Sequence, residues 1–163
     1  YYSGDQFLFR INDKSINSLF LLQMKGEFKM KSTIYKVVFF DASHRLLHYV
    51  GKCNCLHGHR WKVEVWIEGD INEKTKIVVD YCIIKKLIEK FDHQVILNKD
   101  DPMVMCLEKF QKPVTTIGDP TSELLAFTIK KMLNNEPEMK SNHAKIQKIR
   151  VWESPTCYAE IGE

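Results

Sequence analysis

A chain of 163 residues, 44% hydrophobic and 28% charged, is long enough to build one domain around a real core without disulfide staples. Its formal net charge of +3 is too slight an excess to argue for nucleic acid and suits an anionic small molecule. The longest apolar runs, such as Leu19 to Leu22, are too short to span a bilayer, and the five cysteines do not fall at disulfide-framework spacings. With no secretory leader in sight, a reduced, cytoplasmic protein is expected.

Residues 1–30 read as an N-terminal extension. They open on Tyr1-Tyr2-Ser3-Gly4-Asp5 without a methionine, and Met24 and Met30 both offer natural starts. Phe7, Leu8, Phe9 and Leu19 to Leu22 are apolar enough to dock. A single domain is expected over 31–163. Thr33 to Phe40 is rich in β-branched and aromatic residues, as a strand requires. Trp61 to Glu68 alternates, with Val63, Val65 and Ile67 on one face and Lys62, Glu64 and Glu68 on the other, the period of a half-buried strand. Ile77-Val78-Val79 reads as a short return strand. Asp80 stands where an N-cap would, before a helix over Tyr81 to Phe91 whose Ile83, Ile84, Leu87 and Ile88 should face the core.

Asn98 to Asp119 reads as a long loop with a short helix near Val104 to Phe110. Asp119-Pro120-Thr121-Ser122-Glu123 starts a second helix, carrying Leu124, Leu125, Phe127, Ile129 and Leu133. Asn134 to Asn142 is a polar connection. Ile146 to Trp152 and Cys157 to Ile161 read as two final strands joined by a turn at Ser154-Pro155. Strands before and after a helical block favour an α+β architecture, with helices on one face of an antiparallel sheet.

His57-Gly58-His59 directly precedes the best-patterned strand. In extended backbone, positions i and i+2 point to one side, so two imidazoles there can grip one metal ion. His44, at the end of the first strand, is the natural third ligand. Three neutral histidines with one position left open make a catalytic zinc site. An isolated His-x-His also occurs by chance at loop ends. A closed site of Cys53, Cys55, His57 and His59 is the competing arrangement, although four ligands within seven residues would strain the chain.

Other reactive groups lie along the chain. Asp92-His93 follows the first helix; sequence neighbours point apart in strand or loop geometry, and a histidine at a helix C-terminus can simply complement the dipole. As a proton carrier, His93 needs an aspartate beside it in space. Cys53 sits in polar, glycine-bearing surroundings, and a thiolate there near a metal would have a lowered pKa. Cys82 and Cys106 read as small buried hydrophobes. Glu153 follows the apolar Val151-Trp152 and can accept two hydrogen bonds from a guanidine-like edge. Thr121, Ser122 and Glu123 could hold the same ligand or only cap the helix.

The ordered set Phe40-Asp41-Ala42-Ser43-His44-Arg45-Leu46, Cys53-Asn54-Cys55-Leu56-His57-Gly58-His59, Val79-Asp80, Phe91-Asp92-His93, Pro120-Thr121-Ser122-Glu123 and Val151-Trp152-Glu153 resembles the family of 6-pyruvoyl- and 6-carboxy-tetrahydropterin synthases, over about Tyr35 to Gly162. The resemblance implies the tunnelling fold, a four-stranded antiparallel sheet with two helices packed on one face, assembled as a hexamer of two stacked trimers with sites between subunits. It implies zinc on His44, His57 and His59, Cys53 as base, Asp92 and His93 as proton relay, and a pterin anchored by Glu153 with Thr121, Ser122 and Glu123. The implied substrate is 7,8-dihydroneopterin triphosphate, with no direct nucleic-acid or membrane partner.

Within the family, the cysteine of the carboxy-forming branch stands four residues before the first histidine, the spacing of Cys53 and His57. The folate-linked branch carries a glutamate where this chain has Asn54. The implied reaction is therefore formation of 6-carboxy-5,6,7,8-tetrahydropterin, feeding queuosine and other 7-deazaguanines. The alternatives are a pyruvoyl-forming synthase that eliminates triphosphate and, from another class, a non-catalytic zinc-stabilised interaction domain. Lys52, Arg45 and Arg60 are the basic residues available for the triphosphate.

Overall fold

The computed structural model describes residues 30–162; the N-terminal extension expected over 1–30 lies, but for Met30, outside them. The dominant element is a pair of 14-residue antiparallel strands, β1 (Lys31–His44) and β2 (His57–Asp70), in unbroken register from Lys31 opposite Asp70 to His44 opposite His57. Both begin or end well beyond the segments legible as strands in the sequence, because they extend into their polar, histidine-bearing ends. After β2 come helix α1 (Tyr81–Ile88), the short strand β3 (Gln94–Asn98), the single-turn helix α2 (Met103–Leu107) and the short strand β4 (Val114–Thr116). Helix α3 (Ser122–Asn134), the short helix α4 (Pro137–Ser141) and strands β5 (Lys145–Ser154) and β6 (Cys157–Gly162) complete the order.

The sheet runs β4-β3-β1-β2-β5-β6. Its β1, β2, β5 and β6 make the expected four-stranded antiparallel sheet. Two strands not expected, β3 and β4, extend it with parallel pairing beside the end of β1. The apolar run Val95-Ile96-Leu97 is too short to be told from a loop by period alone, and β3 forms because the end of β1 offers it an unpaired edge. Ile77-Val78-Val79, expected as a strand, is not one. Val78 and Val79 are buried, but the Val78 carbonyl accepts from Asn142 Nδ2 at 2.7 Å and the Asp80 N–H donates to Glu138 Oε2 at 2.8 Å, so side chains take the place of a neighbouring strand.

Alternation along the strands puts Val38, Phe40 and Ala42 of β1, Trp61, Val63, Val65 and Ile67 of β2, and Ile149 and Val151 of β5 into one core. Ile84, Leu87 and Ile88 of α1 and Leu125, Ala126, Ile129 and Leu133 of α3 cover that face. Asp80 caps α1 by accepting from the Cys82 N–H, and Thr121 caps α3 by accepting from the Leu124 N–H. Cys82 and Cys106 are exposed, against expectation. Cys82 lies off the core stripe of α1, and α2 buries none of its residues.

Candidate active site

Three imidazoles stand at the end of the core stripe. The face of β2 that carries Val65, Val63 and Trp61 continues through His59 and His57, and the face of β1 that carries Val38, Phe40 and Ala42 ends in His44. The ring centroids of His44 and His57 are 4.5 Å apart, of His44 and His59 5.2 Å, and of His57 and His59 4.9 Å. Trp61 lies beneath, 4.9 Å from the His44 ring and 5.6 Å from that of His59. From the end of β5, Glu153 brings Oε1 to 3.3 Å from His59 Nε2 and 4.0 Å from His44 Nε2. One ligand atom from each of His44, His57, His59 and Glu153 lies within 4.8 Å of the others.

Hydrogen bonds set the tautomers. His44 Nδ1 meets the Pro120 carbonyl at 2.8 Å, and His57 Nδ1 meets the Cys55 carbonyl at 2.8 Å. A carbonyl only accepts, so each Nδ1 carries the hydrogen and each Nε2 keeps its lone pair. The Nε2 atoms of His44 and His59 are buried without a hydrogen-bond partner. Burial brings the pKa of His44 down to about 4, helped by His57 and His59 and opposed by the Pro120 carbonyl. Burial also lowers that of His59, against the pull of Glu153. Neutral imidazoles with converging, unsatisfied lone pairs have a reason to be buried together only if a cation joins them. Three nitrogens and a carboxylate fit a divalent metal, so the residues present suit the metal the sequence led us to expect. Neither Cys53 nor Cys55 belongs to the cluster, so the competing cysteine–histidine site is not assembled.

The family resemblance gives Glu153 to the substrate and leaves the fourth metal position open. Its carboxylate stands close enough to the imidazoles to enter that position itself. On the opposite face of β5, Trp152 Nε1 donates to the buried Glu64 at 2.6 Å, and Tyr35 Oη donates to the same carboxylate at 2.6 Å. The strand end that carries Glu153 is thereby held from behind. Alternation marked Glu64 as outward-facing, and nothing in the pattern revealed that aromatic side chains would bury it.

Cys53 lies in a 3₁₀ turn, Lys52–Asn54, within the loop joining β1 to β2, and is half-buried. Asp92 and His93 form a close pair, Oδ2 to Nδ1 at 2.9 Å. Sequence neighbours were expected to point apart; a left-handed φ of 56° at His93 folds the ring back onto the carboxylate. The pair is fastened to β1, since the Asp41 N–H donates to Asp92 Oδ1 at 2.9 Å and the His93 N–H donates to the Asp41 carbonyl at 2.7 Å. The Asp41 N–H and the His93 ring hold the Asp92 carboxyl below its ordinary range. No hydrogen bond or ion pair among the described residues joins Cys53 to this pair.

Thr121, Ser122 and Glu123 open α3, one residue beyond the carbonyl that binds His44, and Glu123 is held below its ordinary pKa chiefly by its own backbone N–H and by Thr121. Two clefts share the wall at Gly58, His59 and Arg60. One, of about 600 Å³, adds Lys62, Trp152 and Glu153; the other, of about 560 Å³, adds Asp41 and His93. Arg45 is committed to Asp101, Nε to Oδ2 at 2.6 Å. Arg60 stacks over Phe39 at 5.5 Å at the first cleft.

Residues 33–163 match the family model described as 6-pyruvoyl tetrahydropterin synthase. The chain belongs to that family. A Rickettsia conorii protein named 6-carboxy-5,6,7,8-tetrahydropterin synthase is 32% identical over 130 residues, 75% of this chain and 94% of that one. An uncharacterised protein from Wolinella succinogenes has the same fold, with a TM-score of 0.66 at 20% identity over 82% of this chain and 98% of its own. The Caenorhabditis elegans 6-pyruvoyl tetrahydropterin synthase superposes with a TM-score of 0.56 at 24% identity, covering 82% and 96%. The family fold thus accounts for the sheet and the two helices on its one face.

Proposed function

We propose that this chain is a zinc-dependent lyase acting on 7,8-dihydroneopterin triphosphate and forming 6-carboxy-5,6,7,8-tetrahydropterin. The observation that carries the reading is the cluster of His44, His57 and His59 with two buried, unpartnered Nε2 atoms, in a chain of this family. Imidazole donors favour zinc over harder cations. Bound there, zinc would polarise a side-chain hydroxyl of the substrate and make the neighbouring C–H bonds more acidic. The four-residue interval from Cys53 to His57, and the names of relatives such as the Rickettsia conorii protein, support the carboxy-forming branch.

The residues divide the work by their chemistry. Glu153 and Glu123, with Thr121 and Ser122, accept and donate along the edge of the pterin and orient it. Cys53 takes a proton from the side chain. Asp92 keeps the His93 ring turned, so His93 delivers or removes a second proton. Because no hydrogen bond or ion pair among the described residues joins His93 to Cys53, we place each site between subunits of a homo-hexamer, with His93 and Cys53 drawn from neighbouring copies. We place the protein in the cytoplasm; no described helix is long and apolar enough to cross a membrane.

Incubation of the metal-loaded protein with 7,8-dihydroneopterin triphosphate tests the reading. Release of acetaldehyde is expected. Triphosphate elimination with the three-carbon side chain retained would move the chain to the pyruvoyl-forming reaction that the C. elegans protein's name describes. No turnover, with Cys53→Ala indistinguishable from the parent, would favour a zinc-stabilised interaction domain.

A further inference from the structure

Residues 45–56 connect β1 to β2 and carry Cys53. The loop is closed on itself: the Leu46 N–H donates to the Cys53 carbonyl at 2.8 Å, and Asn54 Nδ2 donates to the carbonyls of Leu46 and Leu47 at 3.2 and 2.9 Å. Midway round, His48 donates twice to Asp119, from its N–H to Oδ2 at 2.7 Å and from Nδ1 to Oδ1 at 3.1 Å. Asn98 Nδ2 adds a third bond, to Oδ1 at 3.0 Å. The Asp119 side chain is only 15% exposed. Burial pushes its carboxyl up, but the hydrogen bonds from Asn98 and His48 outweigh that and hold it below the ordinary range.

The residue after Asp119 is Pro120, whose carbonyl accepts from His44 Nδ1 at 2.8 Å. The Thr121 N–H turns back to the Asp119 carbonyl at 2.8 Å, and Thr121 caps α3. Proline fixes its own φ and confines the residue before it to extended backbone. One stiff dipeptide therefore holds the middle of the Cys53 loop with its carboxylate and the His44 ring with its carbonyl.

We propose that Asp119 is a positioning residue that holds the Cys53 loop in fixed register with the metal ligand His44. The proposal rests on the reading of Cys53 as the base, and its first test is read without turnover. In metal-loaded Asp119→Ala, amide hydrogen exchange across residues 46–55 should run about ten- to a hundredfold faster, the effect of removing hydrogen bonds to a charged group, while β2 and the later turns of α3 stay at parental rates and metal content is kept. Turnover should show a fall in kcat with KM little changed. Asp119→Asn, which still accepts from the His48 N–H, should recover much of both.

Unchanged exchange in the loop of a folded Asp119→Ala overturns the proposal. So does acceleration spread evenly over the molecule, which is the mark of a general stabiliser, and so does loss of metal, which would assign the carboxylate to His44 alone. If Asp119→Ala does not fold, His48→Ala, which removes an exposed ring, must speed exchange in the same loop, and parental rates there count equally against the proposal. A parent inert toward the pterin triphosphate sinks the functional reading while leaving the exchange result to decide the clamp.

Discussion

Acid should destabilise the metal-free protein through His44, and the amount can be worked from its surroundings. Its side chain is fully buried, and burial lowers its pKa from 6.5 to about 4. The unfolded chain binds a proton there below 6.5 while the folded one resists until about 4. Stability from this group is therefore complete above pH 6.5 and declines as the pH falls through the interval. The difference corresponds to about 3 kcal/mol, less if the site loosens and lets water reach the ring. Denaturant unfolding of metal-stripped protein at steps from pH 7.5 to pH 4 measures it. His44→Gln provides the reference, because it keeps every other titrating side chain. The parent should lose about 3 kcal/mol more than the variant over that range. Parallel curves would mean that the ring is hydrated or already protonated, and the argument for a neutral, preformed ligand set would fail.

Other changes separate the roles assigned above. His57→Ala should reduce bound metal from one ion per chain to none by elemental analysis; retained stoichiometric metal contradicts the three-histidine site. Cys53→Ala should stay folded and metal-loaded while kcat drops by about 10² to 10⁴, the range for a lost proton-transfer group; near-parental turnover would remove Cys53 from the reaction. Glu153→Gln should weaken pterin binding about tenfold or more through loss of charge-assisted bonds, and calorimetric titration that finds parental affinity assigns the carboxylate to the metal instead. Glu64→Ala leaves Tyr35 Oη and Trp152 Nε1 without an acceptor and should lower stability by about 1–3 kcal/mol in thermal or denaturant melts.

How far the sequence could be read depended on what each feature requires. The core stripes of β1 and β2, the caps Asp80 and Thr121, and the shared side of His57 and His59 are local patterns, and they were legible; His44 joined them on the expectation that its strand would pair with the next. The strands β3 and β4 were not, because they owe their existence to the edge of β1 and not to their own few residues. Val78 and Val79 had strand-like chemistry, yet the Val78 carbonyl and the Asp80 N–H are satisfied by Asn142 and Glu138, partners far along the chain. The folding of His93 onto Asp92 follows from one left-handed residue that composition does not announce. Asp119 was visible only as part of a helix start, though an aspartate held rigid before a proline was the available clue. The placement of Glu153 among the imidazoles depends on β5 pairing with β2, a long-range fact that no spacing within Val151-Trp152-Glu153 contains.

The register of β1 on β2 has a consequence for how the protein matures. The two strands pair without a bulge over their whole length, yet a 12-residue connection (45–56) imposes little of that register, unlike a tight turn. A slip by one residue would turn the side chains of the shifted strand to the other face, parting His44 from His57 and leaving no three imidazoles to converge. The same slip would carry Val38, Phe40 and Ala42 out of the core, so the apolar alternation that sets the register also aligns the three imidazoles, and an ion bound there would stabilise that pairing alone by mass action. Metal-free protein should then keep the same pairing, and added metal should raise its melting temperature as its concentration rises.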